Sequence, residues 1–190
     1  MVVIATDVAK LPHSLTFDGW SLAISKDPEK TALKIRAPTT HDAGRIWQLV
    51  RQSGGLDVNS AYLYLLLCRD FSETCLVACL DESVVGFVTG YRPPREPAVL
   101  FIWQVGVAPE AKRQGVASRL LCELIQRCGP DTISAIEATV TSSNTASRRL
   151  FESLARTLDL PLVNRPDEGF HVSDFPPGDH EAEPRIRIGH

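Results

Sequence analysis

The chain has 190 residues, of which 44% are hydrophobic and 23% charged, the balance of a globular protein long enough to bury a full core. A formal charge of −3 argues against nucleic acid or an anionic membrane surface as the main partner. No stretch approaches the roughly 18 apolar residues of a membrane span, and the first thirty residues lack a basic start followed by an apolar run. A cytoplasmic protein is expected.

Residues 1–30 mix Pro12, Asp18, Gly19, Lys26, Asp27 and Pro28 without sustained periodicity and read as a flexible extension; one domain is expected over 31–190. Ala32 to Arg36 alternates apolar and polar residues as a half-buried strand does. Thr39, Thr40 or Asp42 then caps a helix that carries Ile46, Trp47, Leu49 and Val50 and stops at Gly54-Gly55. A polar loop, Leu56 to Ser60, precedes a helix from Ala61 to Arg69, apolar nearly all round and therefore expected to be buried on more than one side.

Two strands follow, Thr74 to Leu80 and Ser83 to Tyr91, joined by Asp81-Glu82. The proline-rich run Arg92 to Pro97 must be a loop. A fourth strand runs from Val99 to about Val107. The helix after it bears Val116, Leu120, Leu121, Leu124 and Cys128 at helical spacing and ends at Gly129-Pro130. Ser134 to Thr141 is a fifth strand. Asn144 caps a last helix with Ala146, Leu150, Leu154 and Leu158, and a short alternating strand closes the pattern at Arg185 to Ile188. This order predicts an α/β or α+β sheet with helices on both faces. The five cysteines, Cys68, Cys75, Cys79, Cys122 and Cys128, are odd in number and have no zinc-ligand spacing, so reduced core thiols and no metal are expected.

The most informative segment is Val105 to Leu121, a strand, a polar loop and a helix start with only small side chains at Gly115 and Ala117. The first N–H groups of a helix lack intrahelical partners and carry the positive end of its dipole, so a loop backbone free to approach a ligand makes a pyrophosphate cradle there. A plain strand-to-helix turn explains the same residues. Lys112, Arg113, Arg119, Arg148 and Arg149 add local positive charge to an acidic chain, which suits a small anionic cofactor better than a polymer.

The spacing of Lys112, Gly115 and Ala117 resembles the acetyl-CoA loop of the GNAT N-acetyltransferases, Arg/Gln-x-x-Gly-x-Gly/Ala. Three further segments, Asp57 to Leu67, Phe101 to Val107 and Thr139 to Phe151, resemble the L-2,4-diaminobutyrate acetyltransferase family of the ectoine pathway, as does the tail His180-Glu181-Ala182-Glu183. The resemblance implies a mixed central sheet splayed between strands 4 and 5, with the pantetheine of acetyl-CoA in the gap. It also implies acetyl transfer to the γ-amine of a small diamine, and a homodimer. Two departures stand out. Lys112 and Arg113 replace residues usual in the loop, which leaves backbone donation intact. Phe151 stands where many acetyltransferases place a tyrosine general acid, so a departing thiolate must be protonated by another group or by water.

On this reading the cofactor donors are the backbone N–H groups of Arg113, Gln114, Gly115, Val116, Ala117 and Ser118, with backbone groups of Val105 and Val107 pairing with pantetheine and polarising the acetyl carbonyl. Asn144 is expected both to cap its helix, worth about 1 kcal/mol, and to touch the cofactor. An aliphatic amine of pKa near 10.4 costs about 4.6 kcal/mol to deprotonate at pH 7, so the site must accept a proton or desolvate the amine. Asp57 and Glu137 are the candidate carboxylates, with His180 and Glu183 from the tail. Asp57 as a helix cap and Glu137 as an exposed strand carboxylate are the structural alternatives. Trp103 is either core or a ring wall for a cationic ligand. Tyr62 and Tyr64 fall on different faces of one helix turn, and Tyr62 is taken to face the amine.

Overall fold

The computed structural model describes residues 32–178 and 180–189; the extension expected over 1–30 lies outside them. Lys34–Arg36 form β1, Ala43–Ser53 α1 and Ala61–Asp70 α2. Cys75–Leu80, Ser83–Tyr91 and Val99–Val107 are β2, β3 and β4. Val116–Cys128 is α3, Ala135–Thr139 β5 and Thr145–Leu158 α4; Leu162–Phe170 and Glu183–Gly189 are β6 and β7. One mixed sheet takes the order β1-β2-β3-β4-β5-β7-β6, in which only β4 and β5 run parallel.

Local signals act where the sequence places them. Gly54 ends α1 in the left-handed conformation (φ 66°), and Asp81 makes the β2–β3 turn at φ 51°. Adjacent residues of β3 identify the two faces of the sheet. A Cβ on Gly86 would touch Val116 and Leu120 of α3, whereas Gly106, opposite Phe87, leaves room for the Phe87 ring on the other face. Tyr64 of α2 bonds Gln104, which shares that second face with Gly106. Helices therefore cover both faces, α1 and α2 on one and α3 on the other. The core between them includes Ile46, Leu76, Phe87, Leu100, Leu120, Leu124 and Ile136, all at most 2% exposed.

Two expectations need correction. β6 carries no alternation and contains Pro166, Asp167, Glu168 and Gly169, yet it is a strand. It lies at the sheet edge and its pairing with β7 breaks between Arg165 and Phe170, where a proline costs no ladder bond. α2 is buried on one side only: Tyr64, Leu67 and Cys68 are enclosed, while Tyr62 and Leu65 are 65% and 40% exposed. Its second apolar face has no cover among the described residues.

Candidate active site

β5 pairs with β4 only over Ala135–Glu137 against Val99–Phe101, although β4 continues to Val107. From Ile102 onward that edge of β4 is open. The amide of Ala108 donates to the Val85 carbonyl of β3 at 2.7 Å. Backbone direction alternates along an extended strand, so the Val107 and Val105 amides point the other way, into the gap. Both residues are half-buried, with a donor at hand and no strand to receive it.

Below the gap, Pro109–Ala111 form one turn of 3-10 helix, after which Arg113 (φ 62°) and Gly115 (φ 75°) both take left-handed conformations. This double reversal turns the chain into α3. The amides of Arg113, Gln114, Gly115, Val116, Ala117 and Ser118 find no acceptor among the described residues; the first amide to do so is that of Arg119, bonded to the Gly115 carbonyl at 3.0 Å. Six unpaired donors, three in the loop and three in the first turn of α3, supply what a diphosphate requires. The side chain of Gln114 is committed elsewhere, donating to the Glu110 carbonyl at 2.9 Å.

The other face of β4 carries the acceptor side. Thr89 pairs with Gln104 but Gly90 with Ile102, so Trp103 is an extra residue in β4, and the bulge puts Trp103 and Gln104 on one face. Trp103 stacks on Tyr64 at 6.5 Å between ring centroids. The Tyr64 hydroxyl donates to Gln104 Oε1 at 3.0 Å, and Gln104 Nε2 donates to the Asp57 carbonyl at 3.0 Å. Burial raises the Tyr64 phenol above its ordinary pKa, so it remains a donor. Trp47 Nε1 holds the Asn59 carbonyl at 3.1 Å. The loop is thus pinned through its main chain at two points. The exposed Asp57 carboxylate makes no hydrogen bond or ion pair among the described residues. Ser60 accepts the Leu63 amide and caps α2, so Asp57 is not the cap.

β5 and β7 build the opposing wall. Glu137, 2% exposed, accepts from Arg187 at 2.7 Å through Oε1 and from Arg185 at 3.1 Å through Oε2. With a guanidinium on each oxygen it meets no amine directly, which corrects its expectation as a proton acceptor and equally as an exposed carboxylate. The alternation of β5 gave its face correctly but not the partners, which the β5–β7 register supplies. Two pairs further, Thr139 donates to Glu183 Oε2 at 2.6 Å, and Glu181 accepts from Ser142 and from the Ser143 amide. The tail carboxylates are therefore seated at the open end of β5. His180 stacks on Phe175 at 4.9 Å.

Asn144 Oδ1 accepts the Ser147 amide at 3.0 Å, so it is a helix cap, and its amide nitrogen has no partner among the described residues. Phe151 is buried at 4% exposure. Of the two tyrosines, Tyr64 and not Tyr62 reaches β4. Gln104, absent from the expected site, is the residue that ties loop, helix and strand together. A buried glutamine inside an apolar strand was its only signal.

The acetyltransferase (GNAT) family model matches residues 41–155. The chain belongs to this family. Among members, the L-2,4-diaminobutyric acid acetyltransferase of Halalkalibacterium halodurans is 45% identical over 84% of this chain and 82% of its own length. That of Marinococcus halophilus is 41% identical over 80% of this chain and 87% of its own. In structure, the diaminobutyrate acetyltransferase EctA of Paenibacillus lautus, in complex with its substrate L-2,4-diaminobutyric acid and coenzyme A, superposes with a TM-score of 0.78 at 41% identity, over 84% of this chain and 95% of that one. Ard1 of Thermoplasma volcanium, at 20% identity and a TM-score of 0.65, shares the fold. The seven-stranded sheet with its parallel β4–β5 contact is this GNAT fold.

Proposed function

We propose that this acetyltransferase moves the acetyl group of acetyl-CoA to the γ-amine of L-2,4-diaminobutyrate, forming Nγ-acetyl-diaminobutyrate for ectoine synthesis, an osmoprotectant route, in the cytoplasm and as a homodimer. The observation that carries the reaction class is the juxtaposition at the open edge of β4. Outward amides of Val105 and Val107 line the gap, unpaired amides of α3 lie at one end, and a carboxylate with no partner, Asp57, is pinned to the same strand through Gln104. The choice of amine rests on the named relatives. Among the described residues no helix is long and apolar enough to cross a membrane and no group of side chains could hold a metal ion.

Acetyl-CoA supplies the activated acetyl group as a thioester; the chain does the rest. The amides of Arg113 to Ser118 hold the diphosphate, and the Val105 and Val107 amides orient the pantetheine and draw charge onto the acetyl oxygen, a contact worth roughly 3–4 kcal/mol when the charge is developed. Asp57 binds the cationic amine and takes its proton, directly or through water. Trp103, braced by Tyr64, forms the ring wall beside it, and Glu183 and His180 of the tail complete the amine side with the exposed Tyr62. Phe151 has no proton to give, so the thiolate is protonated by water.

Product analysis with diaminobutyrate, lysine, ornithine and polyamines tests the reading. The γ-acetyl product of diaminobutyrate is expected. Coenzyme A binding without turnover of any amine would make the chain a non-catalytic binder instead. Asp57→Asn is expected to raise the KM for the amine roughly 10- to 100-fold, the loss of one charge-assisted contact, with coenzyme A affinity unchanged; an unaltered KM would remove Asp57 from the site.

A further inference from the structure

Glu137 is one carboxylate shared by two guanidiniums, those of Arg185 and Arg187. The two arginines are not equivalent. Arg187 is enclosed, with its side chain 13% exposed, and has a second carboxylate, Glu96, at 3.9 Å. Arg185 is 29% exposed, and Glu137 is the one carboxylate it engages. Its Nε is buried without a hydrogen-bond partner, and among the described residues only Nη1 donates. Five donors in a planar fork thus serve one hydrogen bond.

Its place follows from register. Arg185 sits opposite Thr139, two pairs beyond the last β4–β5 pair at Glu137, with its guanidinium carbon 5.9 Å from the Phe101 ring centroid. Phe101, opposite Tyr91 on the far side of the bulge, shares the face of Trp103 and Gln104. Thr139, beside Arg185, holds Glu183 on that same wall. The face of the sheet to which Gln104 ties the Asp57 loop therefore also carries Glu183 and one guanidinium with open donors, so two carboxylates and one cation belong to it.

We infer that Arg185 is a specificity-determining residue that binds the α-carboxylate of the amino-acid acceptor. The inference rests on the proposed function and deepens it. Two anions and one cation complement a substrate with two ammonium groups and one carboxylate. A fork anchored on one side by Glu137 keeps its remaining N–H groups in a fixed plane, which suits two-point recognition of a carboxylate. Holding that end fixes which nitrogen reaches the thioester, because the α-amine stays beside the anchored carboxylate while the γ-amine extends to β4.

The test compares diaminobutyrate with 1,3-diaminopropane, the same diamine lacking the carboxylate. Wild-type enzyme is expected to prefer diaminobutyrate in kcat/KM by roughly 10- to 100-fold. Arg185→Gln should lower kcat/KM for diaminobutyrate by a similar factor, chiefly through KM, and leave that for diaminopropane unchanged, with calorimetric coenzyme A affinity as the check on folding. Arg185→Lys, which keeps charge but not the fork, should fall between. Equal losses on both amines in either variant would reduce Arg185 to a structural ion pair and overturn the inference. So would a wild-type enzyme indifferent to the carboxylate, a result that needs no variant to fold. Wild-type enzyme that acetylates neither amine would instead sink the proposed function itself.

Discussion

Two aspartates near the front of the domain show how environment divides one residue type between structure and chemistry. Asp42 is 7% exposed and saturated, accepting from Arg36 at 2.7 and 2.8 Å and from the Thr39 amide and hydroxyl at 2.7 and 3.0 Å. Burial pushes its carboxyl pKa up, but the bonds from Arg36 and Thr39 outweigh this and hold it below the ordinary carboxylate range. The stabilisation is therefore complete above the unfolded pKa of about 3.9 and is lost as pH falls through the lower folded value. Asp42→Asn should cost about 2–3 kcal/mol at pH 7, with the gap from wild type closing below about pH 4. Thermal melts from pH 7 to pH 3 check it, and a constant gap would contradict the assignment. Asp57 is the opposite case, exposed and unsatisfied, held only by its backbone.

Among elements, the start of α3 places two left-handed residues, Arg113 and Gly115, in close succession. Gly115 at φ 75° tolerates its conformation because it lacks a Cβ. Gly115→Val adds roughly 1–2 kcal/mol of backbone strain and a branched side chain over the donors. Acetyl-CoA Kd is expected to rise at least about 10-fold on the same argument for lost charge-assisted bonds; calorimetry returning the wild-type value would place the diphosphate elsewhere. This element was legible because a glycine before a periodic apolar stripe has a local cause. The turn at Asp81 and the end of α1 at Gly54 were legible for the same reason. β6 was not, since a strand that owes its existence to a neighbour's edge needs no alternation of its own. The partners of Glu137 and the Tyr64–Gln104–Asp57 chain were hidden too. They join residues 40 or more positions apart, and register alone decides such contacts.

At the scale of the molecule, the apolar surface left exposed among the described residues matters most. Val58, Tyr62, Leu65 and Phe71 expose apolar surface along and beside α2, and Val163, Phe170 and Val172 do so near β6. A second copy is the proposed cover for the α2 face. Sedimentation equilibrium should give a dimer mass for wild type and a monomer for Leu65→Glu; a monomeric wild type would refute the pairing. The thiols fit an enclosed core: Cys68, Cys75 and Cys79 are buried, and burial pushes Cys68 up to about 12 and Cys75 and Cys122 up to about 11. They stay protonated and poorly nucleophilic at neutral pH.

The threading of the sheet has one more effect. β7 follows β6 along the chain but lies between β5 and β6, so β6 joins the ladder only through it. β7 therefore cannot leave β5 without taking β6 out of the ladder as well. A transient opening of β7 would carry Arg185 and Glu183 away from Glu137 and Thr139 together and dismantle the proposed amine wall, while the start of α3 survives. On the proposed reading, an amine bound against that wall would hold the edge shut by mass action, so substrate occupancy and the local lifetime of this edge would be thermodynamically linked.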